Sequence, residues 1–183
     1  GSAPKLEATS LSDLRIGVRS GGDSAKLTHA VKTGFDAVVR SLRDEGVEPI
    51  SVSPPVYDYS RSRRAGLLVS EIEGAKEHGV TADGARPGGL SDMFYGLMHW
   101  GTRQTPEKVA AAYAHIESVY KAAADVWQSV DVIIAPTAPQ EAFRFTDEVP
   151  ANQADFTAWA DFAKLPATAL YSGLSADRLP LSV

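Results

Sequence analysis

Residues 105–139 read TPEKVAAAYAHIESVYKAAADVWQSVDVIIAPTAP. Apolar side chains stand at Val109, Tyr113, Ile116, Tyr120, Ala123, Trp127 and Val130. Their spacing predicts one buried stripe on a helix of about 25 residues. Asp131 breaks the pattern, and Val132-Ile133-Ile134-Ala135 follows as a short, continuously apolar run. Such a run between turn residues predicts an interior strand covered on both faces. Pro136 and Pro139 cannot donate ladder hydrogen bonds, so the strand is expected to end there. The exit Pro136-Thr137-Ala138-Pro139 then lies at the strand's carboxyl end, where open α/β sheets bind ligands.

Toward the N-terminus, Leu14-Arg15-Ile16-Gly17-Val18 reads as a strand. Gly21-Gly22-Asp23-Ser24 follows. It reads either as a phosphate cradle or as a plain turn with Asp23 or Ser24 as helix cap. Neither phosphate fingerprint is present, which favours the turn. A helix is expected from Ser24 to Glu45, with Leu27, Val31, Phe35, Val38 and Leu42 inward and Gly46 after its end. The next strand spans Glu48 to Val52 and stops at Pro54-Pro55. Strand, helix and strand make a βαβ unit with parallel strands and a right-handed crossover.

A second helix is expected from Tyr57 to Glu77, with Ala65, Leu68, Val69, Ile72 and Ala75 inward. Arg61, Arg63 and Arg64 precede Glu71 and Glu73, which reads as ion pairing on a solvated face or as an anion site. Residues 79–90 read as a mobile loop. The short helix Ser91–Gly101 carries Met93, Phe94, Leu97, Met98 and Trp100, as core or as a pocket wall. Beyond the central stretch come an acidic loop at 140–155, a helix from Phe156 to Lys164, a strand Ala167–Tyr171, a turn, and Leu179-Pro180-Leu181-Ser182-Val183. Residues 1–12 read as a leader, and Gly1-Ser2 is consistent with a cloning remnant. The chain stops in what reads as a strand, so the fold is expected to continue beyond it.

The 183 residues suffice for one domain with a real core. With 44% hydrophobic and 22% charged residues, the composition is that of a globular protein. A net charge of -5 argues against a nucleic-acid or anionic-membrane surface. The absence of cysteine excludes disulfides and thiol chemistry and is compatible with a reducing, cytoplasmic setting. No apolar run reaches a membrane span, and the first residues lack a signal peptide's pattern. His29, His78, His99 and His115 show no metal-ligand spacing, and no HExxH or GxSxG occurs. Glu71 and Glu73 point to different faces of a helix and make a poor acid–base pair. No metal or cofactor is expected, and residue chemistry alone assigns no catalytic residue.

The order of these segments resembles the later part of amidase signature family enzymes. That family includes amidases, allophanate hydrolases and the A subunit of the aminoacyl-tRNA amidotransferase. Leu14 to Val18 resembles the strand that opens the family's second half, and Gly46-Val47-Glu48-Pro49-Ile50 its return. Ser70-Glu71-Ile72-Glu73 resembles its serine- and glutamate-bearing helix. Gly89-Leu90-Ser91, Gly101 and the long helix lead to Asp131–Pro139, which is similar to the family's DVLLTPTTP run. Phe156-Thr157, Asp161 and Leu165-Pro166-Ala167 resemble its FT–N–GLPA segment, and Leu179-Pro180-Leu181 its final strand. Asp161 stands where the family has asparagine, and Lys164 and Arg178 stand where it has glycine. A glycine required at positive φ would not tolerate lysine or arginine without strain, so either these turns differ or this is an outlying member.

The resemblance implies a mixed, largely parallel sheet flanked by helices. It divides 13–183, a partial domain, into a βαβ unit at 13–53, a helical segment at 57–130 and a strand and cleft-wall segment at 131–183. The family's serine nucleophile, its second serine in a cis peptide and its lysine lie in a Gly- and Ser-rich signature that no segment here matches. No catalytic residue is therefore carried over. Pro136, Thr137, Ala138, Phe156, Thr157 and Asp161 become candidates for shaping a substrate cleft. The implied activity is hydrolysis of non-peptide carbon–nitrogen bonds in small amides by the intact protein, with this chain alone inactive. The implied partner is a missing N-terminal half, or a second copy, across an open sheet edge. The alternative is a non-catalytic α/β ligand-binding or structural domain.

Overall fold

A computed structural model describes residues 9–20 and 26–183. Gly21-Gly22-Asp23-Ser24 and the first eight residues lie outside it. The described leader residues include a single 3-10 turn, Leu11–Asp13.

Three short strands, β1 (Ile16–Val18), β2 (Ile50–Ser51) and β3 (Val132–Ile134), form a parallel sheet in the order β2-β1-β3. The interior strand is thus β1, not the 132–135 run. Val132 is exposed, and no strand among the described residues pairs with the outer side of β3. An apolar run reports which side chains avoid water; it does not say whether a neighbouring strand is present in the same chain. Gly17 shows how tightly β1 is enclosed, since a Cβ there would meet Val52 Cγ2 at 2.7 Å and Val130 Cγ1 at 3.1 Å.

Helix α1 (His29–Asp44) links β1 to β2. It starts later than Ser24 because Lys26 has φ 49°, which no right-handed helix contains. Thr28 is the cap. The C-terminus closes as expected on Gly46 (φ 83°), with Val47 N–H donating to Leu42 C=O at 2.9 Å.

Between β2 and β3 run α2 (Tyr59–Glu77), α3 (Asp92–Thr102) and α4 (Pro106–Val126), capped by Asp58, Ser91 and Thr105. None of the arginines at 61, 63 and 64 pairs with Glu71 or Glu73 among the described residues. Seven or more residues separate them, roughly 10 Å along a helix, which is beyond neighbour distance. Arg63 reaches across the fold instead. Loop 79–90 is tethered: Arg86 bonds Asp92 and the Leu90 carbonyl, lies over Tyr95, and His99 Nε2 meets Ala82 C=O at 3.0 Å. In α3 only Met98 and Gly101 are buried, and Met93, Phe94, Leu97 and Trp100 are exposed, so most of the cluster is not core.

The α4 stripe is rotated from the expected one. Ala112, His115, Val119, Ala123 and Val126 are buried, whereas Tyr113 and Tyr120 are exposed. The helix is clamped between α2 on one side and α5 (Thr157–Ala163) on the other, and small alanines permit the close approach. The largest core cluster joins Val52, Val119, Val126, Val130 and Trp159. Strands β4 (Tyr171–Leu174) and β5 (Pro180–Ser182) form a separate antiparallel hairpin. Residues 167–169, expected to be strand, precede it. Pairing starts at Leu170, whose N–H donates to Val183 C=O at 2.8 Å.

Both turns that depart from glycine keep a left-handed conformation: Lys164 has φ 55° and Arg178 φ 61°. The turns therefore do not differ from what glycine would adopt, and lysine and arginine bear the strain.

Candidate functional site

The carboxyl ends of the parallel neighbours β1 and β3 lie side by side. That is the position at which open parallel sheets hold ligands. Arg19, the first residue after β1, occupies it. Its backbone N–H donates to Ile134 C=O at 2.9 Å, which extends the ladder by one residue. The side chain is only 2% exposed. Its guanidinium donates to Phe156 C=O at 2.9 Å and to Asp155 C=O at 3.3 Å. Four rings surround it, with centroids at 4.9 Å (Tyr57), 5.1 Å (Phe156), 5.4 Å (Tyr59) and 5.7 Å (Trp159).

An isolated buried charge would cost several kcal/mol. The ring faces and the two carbonyls offset this, each desolvated cation–π contact contributing about 1–2 kcal/mol. Arg19 Nε has no partner among the described residues. Asp155 is buried and accepts from Arg63 Nη1 at 2.8 Å, and its backbone carbonyl accepts from Tyr57 O–H at 2.9 Å. Burial pushes the Asp155 carboxyl up, against the opposing pull of Arg63 and Arg19. Burial likewise pushes the Tyr57 phenol up to about 12. These groups lock residues 155–156 onto the end of β1.

The expected cleft residues separate into groups. Pro136 is buried and Thr137 and Ala138 half-buried; they line a cavity of about 170 Å³ with Val31, Phe35 and Leu181. Thr137 N–H donates to Ser182 C=O at 3.1 Å, tying the exit of β3 to the hairpin. Phe156 is buried as one wall of the Arg19 cluster. Beside that cluster is a second, polar cavity of about 430 Å³, lined by Lys26, Asp58, Tyr59, Arg63, Asn152 and Asp155 among others. Thr157 and Asp161 are exposed on α5 and line neither cavity. Arg19 is the link between the groups, bonded to Ile134 at one end and Phe156 at the other.

Sequence reasoning missed Arg19, Tyr57, Tyr59 and Asp155, and it singled out Arg63 without its partner, Asp155. The available signal was a charged residue in phase with buried Gly17 at the end of a strand. Its partners are up to 137 residues away, and no spacing rule reaches them.

One further pair has a catalytic look. Ser62 Oγ lies 2.8 Å from His115 Nε2. Both are buried, and burial pushes the imidazole below its ordinary value, with Arg61 adding to the effect. With Ser62 wholly enclosed between α2 and α4, a substrate cannot reach it, and the pair serves as a polar bolt between two helices. Among the described residues, no group of three or more His, Asp or Glu could hold a metal ion. No helix there is long and apolar enough to cross a membrane.

The family model described as Amidase matches residues 2–183, and the chain belongs to that family. It is 27% identical over 172 residues to the A subunit of glutamyl-tRNA(Gln) amidotransferase from Ehrlichia ruminantium (strain Gardel), covering 79% of this chain and 35% of that relative. A chain of a vestigial protein complex tied to the origins of an s-triazine catabolic enzyme superposes with TM-score 0.77 at 20% identity, covering 94% of this chain and 38% of that one. A bacterial aryl acylamidase of the amidase signature enzymes superposes with TM-score 0.67 at 15% identity, covering 92% and 39%. These likenesses show the amidase signature fold, and the chain spans between a third and two fifths of the relatives' length.

Proposed function

We propose that this chain is the later portion of an amidase that hydrolyses non-peptide carbon–nitrogen bonds, and that it supplies one wall of the substrate cleft. The observation that carries this is the family match along residues 2–183 of a chain that spans 35% of a curated relative. In this reading, residues 1–12 are a leader and 13–183 a partial domain completed by polypeptide from outside this chain. The whole protein works in the cytoplasm on a small amide. The chemistry is acyl transfer. A serine oxygen, its proton taken through a lysine, attacks the carbonyl carbon, and backbone N–H groups hold the oxyanion. The C–N bond breaks, the amine leaves with the proton, and water releases the acid from the serine ester. Those groups are supplied by the remainder of the enzyme.

The described residues support a shaping role. Pro136, Thr137 and Ala138 form one stretch of wall, and Phe156, held by Arg19, forms another. Thr157 and Asp161 extend the second stretch from the exposed side of α5. The outer edge of β3 and the exposed Leu170, Tyr171 and Leu174 are where the completing polypeptide docks. The polar cavity of about 430 Å³ favours the second reading, a non-catalytic ligand-binding domain.

Expression of residues 1–183 with and without the Gly- and Ser-rich portion of the parent reading frame separates the two readings. The amidase reading expects amine release from aryl and primary amides only when both portions are present. Hydrolysis by residues 1–183 alone, abolished by a point change within them, would contradict it.

A further inference from the structure

We propose that the outward face of α3 is a contact between two copies of this protein, paired antiparallel about a twofold axis close to Gly96 and Leu97. The proposal does not depend on amide chemistry. Helix α3 packs chiefly on α2 through Met98 and Gly101. Its opposite face carries Met93 (77% exposed), Leu97 (48%) and Trp100 (47%) at helical spacing. An apolar face of this kind marks an interaction surface. Gly96 lies in the middle of it. Glycine inside a helix costs about 1 kcal/mol relative to alanine, yet a Cβ at Gly96 would meet nothing within 4 Å. Packing within the described residues gives no reason for the missing side chain, whereas close approach of a second helix does.

The space at Gly96 opens into a hollow of about 370 Å³ lined by Gly96, His99, Trp100, Arg103 and Gln104. Antiparallel pairing sets Met93 of each copy over this hollow in the other, with its sulfur against the Trp100 ring, a favourable contact. The charges fit the same arrangement. Asp92, whose side chain is 93% exposed although it contacts Arg86, stands at the N-terminal end. Arg103 follows the C-terminal end, and Lys108 lies there over Trp100 at 4.9 Å. Twofold antiparallel pairing brings acid to base twice and opposes the helix dipoles, and parallel pairing would bring like charges together. Self-complementarity within one helix is what a second copy requires and what an unrelated occupant does not.

The sequence contains no cysteine, so a single introduced thiol reports one position. In the full-length polypeptide that carries this chain, Leu97→Cys is expected to give a covalent dimer with a short bis-maleimide. Thr33→Cys, exposed on α1, is expected to give none. Leu97→Glu is expected to shift the sedimenting mass from dimer to monomer, with a melt that stays cooperative and loses the dependence on protein concentration that a dimer imposes. Arg103→Asp should weaken dimerisation about tenfold or more, and adding Asp92→Arg should restore it. A wild-type monomer at micromolar concentration would overturn the proposal. So would a dimer that persists in Leu97→Glu, which would put the contact at a sheet edge. A Leu97→Cys thiol shielded from maleimide within a monomer would also overturn it, by showing that the remaining polypeptide covers α3.

Discussion

Arg19 is buried among four rings while donating to two backbone carbonyls, so truncating it removes several compensations at once. Arg19→Ala leaves a void and unpaired acceptors and is expected to lower stability by about 3 kcal/mol in urea titration. Left-handed residues give a subtler test. A non-glycine residue there costs about 1–2 kcal/mol, whereas glycine adds about 0.5–1 kcal/mol of unfolded-state freedom. Arg178→Gly is therefore expected to stabilise by about 0.5–1 kcal/mol. Lys164→Gly should be near neutral, because it also gives up the ammonium that lies 4.7 Å from the Tyr120 ring centre. Thermal melts of the two variants distinguish them. The sequence flagged both turns as departures from glycine but left open whether the backbone had changed. Side-chain identity does not specify φ when an unfavourable conformation is held by its surroundings.

Elements were more legible than the surfaces they bury. Helices and strands follow from local chemistry, but the caps were not picked out in advance: the sequence offered Asp23 or Ser24 for α1, whereas Thr28 caps it, and Asp58, Ser91 and Thr105 cap the helices that follow. The orientation of α4 was not legible, because its two tyrosines extend the apolar pattern around the helix and only the partners decide which side is enclosed. Val119→Ala is accordingly expected to cost about 2 kcal/mol, and Tyr113→Ala or Tyr120→Ala less than about 1 kcal/mol; chemical denaturation checks this. At the amino ends of β1 and β3, Asp131 accepts from Arg15 Nε at 3.1 Å, from Nη2 at 2.8 Å and from the Arg15 backbone N–H at 2.8 Å. The Arg15 side chain, then its backbone N–H, holds the Asp131 carboxyl down at about 2. A depressed carboxyl contributes stability that is present above its ordinary value and lost as pH falls through the folded-state value. Wild type should lose more stability than Asp131→Asn between about pH 4 and pH 2, as read from denaturant midpoints. An equal loss in both proteins would exclude this clasp as a source of acid sensitivity.

At the scale of the whole molecule, segment order carried the family likeness, and most segments that carried it became elements or turns of the described fold, Leu165-Pro166-Ala167 being irregular. Coverage was not legible. The 132–135 run reads as interior, yet β3 stands at the edge of the described sheet, with Val132 exposed. Tyr171 and Leu174 are apolar and equally uncovered. A side chain's aversion to water is written in its identity; which polypeptide relieves it is not. We attribute that role to polypeptide outside this chain, which spans between a third and two fifths of the relatives' length. The most direct test is amine release from a panel of aryl and primary amides by the complete parent polypeptide and by residues 1–183, assayed side by side. The expected result is turnover by the parent, abolished by replacing a serine in the Gly- and Ser-rich portion, and none by residues 1–183. Turnover by residues 1–183 alone, or a parent polypeptide inert toward every amide while stably folded, would contradict it.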